Sequence, residues 1–550
     1  MSTLRCPSRI SAGILVLLLG FPDSGHATLE ESLPSYHWSY DILDQLRLRG
    51  YFTELFMSNR PFTRGAVAKS IQQVAREIDR AQIGVTQSDQ WLIDQLRNEF
   101  DEELLELRGL AGNNRIKLGF TGNLDAMNQS KGLEDPRLIH YGVLNGGSRL
   151  REGLRSKISA GIGDNLTLYH TLRFDRNMKD DPTYVGKFFM GFAGFTEQAY
   201  LQGRTGRFQY KVGRDFIAIG PGKSGNLLIS DNARPFDQYR IDFVAGPIRF
   251  SAFGIQLDDV ALDSVIVRGQ GPMNTARRFI NGHRMDVKFG SWANVGFSEI
   301  VIYGGVQRSF ELAYVNPVNF YHGVTLNDEE ALGRPANTFG SLDVDLFPSK
   351  NLEIFAEFLV DDVKIERANS SDLEPNRLAY MLGIQYANPF RIDGVRIRAD
   401  YTHVANRTYN VLFNPWEKHL HRNRPIGHFL GNNFDRFQIE ASGWMTRDLQ
   451  VSTRYERLRQ GEDNIASAYN TDYLSATVSQ GYSENFPFGT IQTSDVLNLS
   501  ASFVKSIDLR FRFDLRVAHV QNMAFGGRSG NQLQMIRVGL MYNYDRLLGW

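Results

Sequence analysis

The sequence predicts a mainly β protein: a transmembrane antiparallel β-barrel of about 18 strands, preceded by a small N-terminal α-helical periplasmic domain. Three observations predict it. From residue 114 onward apolar and polar residues alternate with period two. Short and long links between the alternating segments take turns along the chain. After residue 27 no run approaches the ~18 apolar residues that a transmembrane helix needs, yet the N-terminus reads as an export signal. An exported chain that spans a membrane without such helices must do so as a closed barrel.

Composition bounds the problem first. Mean hydropathy is −0.31, which a bundle of membrane helices would not show. Lys+Arg and Asp+Glu are equal at 61 each, so no excess charge points to nucleic acid. With 51 Gly and aromatics at 12%, the chain suits a β protein with many turns. Its single cysteine is Cys6.

At the N-terminus, Arg5 and Arg9 form a basic region, Ile10 to Phe21 a short apolar core, and Gly25-His26-Ala27 a small-residue cleavage site. Residues 1–27 are therefore expected to be a signal peptide cleaved after Ala27. Cys6 precedes the apolar core and is no acylation site. Removing it leaves a chain without thiol or disulfide chemistry.

Residues 28–110 are expected to form the helical domain. Tyr40 to Gly50 has helical spacing and ends in a C-capping glycine. Thr63 precedes a second helix with apolar positions Val67, Ala68, Ile71, Val74, Ala75 and Ile78. A third runs from Ser88, as N-cap, through Trp91, Leu92, Leu96, Phe100, Leu104 and Leu107, after a break at Ile83 to Gln87. Tyr36 to Ser70, with His37-Trp38-Ser39-Tyr40 and Pro61-Phe62-Thr63-Arg64, resembles one S-layer-homology repeat. That resemblance implies a glycan partner, such as peptidoglycan or another periplasmic component; the alternative is a simple amphipathic bundle.

Residues 111–550 are expected to form the barrel. Leu509, Phe511, Phe513, Leu515 and Val517 alternate with Asp508, Arg510, Arg512, Asp514 and Arg516. Val395 to Tyr401, Phe437 to Ala441 and Leu497 to Phe503 alternate in the same way. A soluble sandwich would turn such an apolar face inward, and an outer-membrane barrel turns it to lipid. Short links fall at 163–165, 203–206, 246–247, 290–292, 348–351, 389–394, 446–448 and 505–506, with long links between them. The segment Glu311 to Tyr314 fits either a further strand or part of a loop. The last strand keeps one parity from Ile536 to the terminal Trp550, apart from Arg546. That pattern resembles the signal by which barrel proteins are recognised for insertion.

A barrel of this size encloses an aqueous lumen unless something fills it. Inward Arg, Asp and Glu can form a salt-bridge lattice that narrows the pore, or an ordinary polar porin lining. Gly220, Pro221, Gly222 and Gly225 permit sharp turns. The link 215–238, with Asp231 and Asn232, can therefore fold inward as a constriction; the alternative is a structured outer loop. In the link 405–432, Tyr409, Trp416, His419, His421, Arg422 and Arg424 are candidates for glycan binding, since aromatic faces pack on sugar rings and Arg pairs with carboxylates. The alternative is a solvated loop. Phe188 to Phe195 fits either an interfacial aromatic girdle or a third glycan contact.

Three segments carry a family resemblance: Val212-Gly213-Arg214-Asp215 through Gly220-Pro221-Gly222 to Leu228–Phe236; Tyr314-Val315-Asn316-Pro317-Val318-Asn319-Phe320-Tyr321; and Arg398-Ala399-Asp400-Tyr401-Thr402-His403-Val404-Ala405-Asn406. Together they resemble the Wzi capsule-assembly family of outer-membrane proteins. The resemblance implies a lectin-like barrel in contact with outer-membrane lipids, which holds capsular or extracellular polysaccharide at the cell surface. It assigns no glycan-contacting residue.

Nothing in the sequence points to an enzyme or a cofactor. Tyr401 to Asn406 resembles the active-site strand of outer-membrane phospholipases, but Ala405 stands where the nucleophilic Ser would be and has no hydroxyl to activate. His419, His421 and Glu417 are spaced too unspecifically for a metal site. There is no phosphate loop, HExxH motif or nucleophile elbow, and no two carboxylates pair for glycoside hydrolysis. Two functions remain in play: a glycan-attachment protein, and a porin-type channel for small solutes or oligosaccharides.

Overall fold

The computed structural model describes residues 29–80, 84–110, 116–130, 147–162, 165–181, 184, 186–262, 275–329, 332–363, 373–504, 509–526 and 531–548. The expected signal peptide and Trp550 lie outside the described residues.

Eighteen long antiparallel strands close into a barrel. They are β1 (Ile116–Gln129), β2 (Gly147–Ile162), β3 (Leu166–Asp175), β4 (Phe192–Thr205), β5 (Phe208–Asp215), β6 (Phe236–Ala245), β7 (Ile248–Gln256), β8 (Thr275–Phe289) and β9 (Ala293–Gly305). They continue with β10 (Ala336–Ser349), β11 (Leu352–Asp362), β12 (Arg377–Ala387), β13 (Val395–Val404), β14 (Phe434–Trp444), β15 (Leu449–Gln460), β16 (Gln492–Val504), β17 (Leu509–Gln521) and β18 (Asn531–Leu548). Each pairs with its sequence neighbours, and β18 pairs with β1 from Leu548↔Ile116 to Met535↔Gln129, so no open edge remains. The links alternate short and long as the sequence predicts. Glu311 to Tyr314 resolves as loop: Leu312–Val315 is a short helix between β9 and β10.

The alternation decides which face meets lipid. On β12, Tyr380, Leu382, Ile384 and Tyr386 are exposed, while Ala379, Met381, Gln385 and Ala387 are buried. The strand thus turns four large apolar and aromatic side chains outward, which in water would be unfavourable and in a bilayer is required.

The inward charges form the salt-bridge lattice. Arg284 on β8 is fully buried; its guanidinium donates to Asp286 Oδ1 at 2.8 Å, to both Asp343 carboxylate oxygens at 2.6 and 3.0 Å, and to Ser298 Oγ at 3.0 Å. Arg240 and Arg249 share Asp242, and Arg436 pairs with Glu456. Each of these four cations is matched by carboxylates within reach, as charges withdrawn from water must be.

Toward the long-loop end the inward face becomes apolar. Phe253, Ile255, Ile280, Ile300, Ile302, Phe339, Phe355 and Leu359 form one buried cluster with Ile217, Ile219, Leu227, Leu228 and Ile229 from the link between β5 and β6. That link therefore folds into the lumen. Its backbone is tied down along its length: Leu227 and Leu228 N–H donate to the Glu357 carboxylate at 2.8 and 3.0 Å, Ser230 N–H to Ile426 O at 2.8 Å, and Ile219 N–H to Ile229 O at 2.8 Å. Gly220 has φ +127°, and a Cβ there would lie 2.8 Å from Glu357 Oε2, so only glycine fits.

The helices sit at the short-turn end. They are α1 (Ser39–Leu48), α2 (Arg64–Asp79), α3 (Gln87–Glu99) and α4 (Asp101–Leu107). Gly50 follows α1 with φ +91°, as expected, and Thr63, expected to precede α2, caps it through Oγ1 by accepting from Ala66 N–H. Two expectations are corrected. Thr86, not Ser88, caps α3, in a reciprocal box with Asp89; Ser88 instead donates to Asp393 on the β12–β13 turn. The third helix also breaks in two at Phe100, whose φ −105°, ψ 23° leave the helical region. Leu43, Leu46, Val67, Ile71, Leu92, Leu96 and Phe100 form the helical core, and Trp444 and Val504 of the barrel rim join it. Arg47 donates to Ser291 O, Asn351 N–H to Leu48 O, and Gln95 to Arg447 O, so three short turns hold the helices. The segment after α1 reaches deeper: Asn59–Arg60 pairs as a two-residue strand with Ala218–Ile219 of the inward link, and Asn59 donates to Asp286 at 2.7 Å.

Candidate functional site

The link between β13 and β14 packs over the inward loop at the long-loop end. Leu420–His421 and Arg424–Pro425 form a small hairpin there. The candidate residues of this segment separate into a buried set and a surface set.

Tyr409 belongs to the buried set. It is fully buried at φ +73°, its N–H donates to Asp361 at 2.7 Å, and its hydroxyl donates to Leu227 O at 2.7 Å. Its ring stacks on His419 at 4.8 Å between centroids, and Phe339 lies 4.9 Å from the same imidazole. No face of Tyr409 is open to a sugar; the residue fastens the inward loop. His419 is fully buried as well, and burial pushes its pKa down to about 3. Trp416 is half-buried beside Gly304, and its carbonyl accepts from Arg278 Nε at 2.7 Å. Glu417 accepts from Asn414. His419 and His421 thus serve different neighbours: His421 Nδ1 lies 3.1 Å from Asp258 Oδ1, which also accepts from Arg422 N–H at 2.8 Å. Burial opposes ionisation of Asp258, but the His421 and Arg422 hydrogen bonds and the Arg278 charge outweigh it and hold the carboxyl at about 2.

The surface set gathers around the end of the inward loop. Arg422 is exposed. Arg424 donates to Asn232 O at 3.2 Å and pairs with Asp181, and Asn232 Nδ2 donates to Pro425 O at 2.7 Å. Asp231 is exposed beside them, whereas Gly220 and Pro221 lie buried deep in the lumen and Gly222 half-buried next to them. The sequence-predicted residues of the two links therefore divide by depth: Gly220, Pro221 and Gly222 belong to the constriction, and Asp231 and Asn232 to the rim.

Three rim residues were not singled out from sequence: Arg234, Tyr184 and Asp181. The Arg234 guanidinium lies 4.8 Å from the Tyr184 ring centroid and 5.4 Å from that of Phe195, and its Nη2 is buried without a hydrogen-bond partner. Burial, together with the charges of Arg422 and Arg424, lowers its pKa. Three guanidiniums face one neighbourhood in which Asp181 is the carboxylate that offsets them. Arg234 stood inside the segment that carries the family resemblance; only the folding of that segment brings it beside loop 177–194. Phe188 to Phe195 divides too. Phe195 lies under Arg234, while Phe189 and Met190, each 79% exposed, turn outward.

His403 stacks between Tyr380 at 4.8 Å and Phe486 at 4.0 Å, and Ala405 N–H donates to Leu378 O. The rim can bind: planar guanidiniums on aromatic faces present paired donors that match a carboxylate.

Comparison with known proteins agrees with the architecture. The Escherichia coli outer-membrane protein Wzi, described as involved in group 1 capsule assembly and as a carbohydrate-binding β-barrel, superimposes with a TM-score of 0.60 over 93% of this chain and 99% of that one, at 13% identity. Pseudomonas aeruginosa OccD3 (OpdP) covers 78% of this chain and 91% of its own at 11% identity, with a TM-score of 0.44. No curated protein sequence matches. The family described as capsule assembly protein Wzi matches residues 130–525. With that match spanning most of the barrel and a Wzi structure sharing its fold, the chain belongs to the Wzi capsule-assembly family of outer-membrane β-barrel proteins.

Proposed function

We propose that this protein holds an acidic capsular or extracellular polysaccharide at the cell surface, as a non-catalytic lectin-like barrel exported by a cleaved signal peptide. The observation that carries the proposal is the filled lumen beneath an arginine-rich rim: Leu227 to Ile229 lie fully buried across the barrel, while Arg234, Arg422 and Arg424 gather above them. A porin needs an open path, which this packing opposes. The long-loop rim faces outward and the helical region faces the periplasm, as in barrels with short periplasmic turns. Family membership and the carbohydrate-binding description of the E. coli protein support the same function.

Deleting the gene is expected to leave polysaccharide secreted but released into the medium. A chain with Arg234, Arg422 and Arg424 all replaced by Ala is expected to insert normally yet fail to restore attachment. Unchanged retention of polysaccharide on the deleted cells would sink the proposal. Swelling of liposomes in small sugars, at rates typical of porins, would favour the channel instead.

A further inference from the structure

The packing that fills the lumen leaves a cavity at the short-turn end of the barrel. Between the helices and the inner wall of β1, β2, β17 and β18 lies a cavity of about 760 Å³. Small-molecule sites span about 300–1,000 Å³. It sits at the short-turn end, walled by Trp38 and Glu99 of the helical region and by Trp444 and Val504 of the rim, far from the arginine cluster of the outer mouth.

The cations that line it are paired, with one exception. Arg64 bonds Glu103 at 2.7 Å, Lys117 bonds Glu102 at 2.8 Å, Arg155 bonds Glu197 at 2.7 Å and Lys157 bonds Glu31 at 2.6 Å. Arg512 and Arg537 each meet an Asp at 2.8 Å. Arg510 makes no ion pair or hydrogen bond with a carboxylate among the described residues; Glu99 acts on it only through its charge. The Arg510 guanidinium carbon lies over the Trp38 indole, 4.0 Å from the ring centroid, with Nε and Nη2 buried and unbonded. A guanidinium held over an aromatic face keeps its edge donors free of that face, and the fork matches a carboxylate with two parallel hydrogen bonds. Around it the buried, unbonded polar atoms are of both kinds: Trp38 Nε1 and Trp444 Nε1 are donors, and Asn123 Oδ1 and Glu31 Oε2 are acceptors. A buried polar group left without a partner is costly, and hydroxyl groups, which donate and accept, match such a mixed set.

We propose that this cavity is a second binding site, on the short-turn side of the barrel, for a carboxylate-bearing saccharide, with Arg510 as the carboxylate receptor and Trp38 lying against it. The site is independent of the outer-mouth arginines.

The test uses the full-length barrel in detergent micelles. Its mature form carries no cysteine once Cys6 is removed with the leader, so Thr121→Cys places a single thiol on the cavity wall. The readout is the rate of its modification by a methanethiosulfonate reagent. Saturating digalacturonate is expected to slow modification about tenfold, and its methyl ester to leave the rate unchanged. Arg510→Gln is expected to abolish the protection, and Arg510→Lys, which keeps the charge but not the planar donor pair, to weaken it several-fold. Arg422→Gln with Arg424→Gln is expected to preserve it, even where binding at the outer mouth is lost. Retained heat-modifiable migration identifies the folded variants. The proposal is overturned by absence of protection in the folded protein, by full protection in both Arg510 variants, by equal protection from the methyl ester, or by equal protection from inorganic phosphate alone.

Discussion

Glu357 is the buried carboxylate on which the inward loop hangs, and Glu357→Ala tests whether that loop closes the barrel. Its two oxygens accept the Leu227 and Leu228 N–H groups at 2.8 and 3.0 Å, with no water-exposed alternative for either donor. Leaving a buried donor without its acceptor costs about 1–3 kcal/mol, so stranding both N–H groups weakens the seat of the loop by about 2–6 kcal/mol. The apolar contacts of Leu227, Leu228 and Ile229 and the Tyr409 bond to Leu227 O remain. The barrel itself should survive, because Glu357 contributes a side chain to the lumen and only its backbone to the ladder with Met381 and Asp343. The assay is planar-bilayer conductance beside heat-modifiable migration. The wild-type protein is expected to show no steady conductance, and Glu357→Ala to show intermittent openings with unchanged migration. A wild-type protein with a large steady conductance would refute the reasoning, as would a folded variant as silent and as protease-resistant in residues 216–235 as the parent.

The remaining predictions concern the supports of the same architecture. His419 is neutral in the folded state with a pKa near 3, against 6.5 when unfolded; the unfolded chain therefore takes up the proton first, and the stability this burial confers is present above pH 6.5 and lost as pH falls toward 3. With a limiting slope of about 1.36 kcal/mol per pH unit, stability should drop by about 2 kcal/mol between pH 6.5 and 4.5, read by thermal melts in detergent, and His419→Phe should flatten that slope. Arg284→Met should destabilise the barrel by about 3–5 kcal/mol because it strands Asp286 and Asp343 without their cation, while adding Asp343→Leu to it should recover part of the loss. Thr86→Ala should remove about 1 kcal/mol from α3, seen as faster amide exchange over residues 87–99 with the barrel amides unaffected.

The barrel was legible because its signal is repeated: strand after strand shows the same parity, and link length alternates with it. What the sequence hid lies where one strand face serves two purposes. Phe355 and Leu359 share the inward parity of Glu353, Glu357 and Asp361 on β11, so β11 carries no purely polar face. Its mixture makes sense only once Leu227 to Ile229 fill the space in front of it. The same loss of local meaning explains the site. Tyr409 reads as an exposed aromatic in a long link, but a link that folds into a lumen buries its aromatics. Arg234 reads as part of a glycine-rich segment, and its neighbours Tyr184 and Phe195 are far away in sequence. The cap of α3 was missed for a milder reason. Thr86 and Ser88 are both good N-caps, and the choice falls to Thr86 because Asp393, across the barrel turn, claims Ser88.

The inward loop also joins the two ends of the molecule. At its rim end Arg424 and Pro425 hold Asn232. At its deep end Gly220 N–H donates to Ser58 O, Ala218–Ile219 pairs with Asn59–Arg60, and Lys223 reaches Asp44 of α1 at 3.3 Å. The same Lys223 lies 3.4 Å from Glu353 on β11. One continuous run of backbone, with a packed wall around it, therefore passes from the arginine rim to the helices. Close-packed interiors transmit displacement poorly unless they hold two distinct arrangements, and backbone hydrogen bonds tie the loop down along its length. This run fits a rigid strut better than a lever. A protein that only holds a polymer in place needs such a strut, because a pull on the rim is then carried through the barrel wall to the helical region without opening a hole in the membrane.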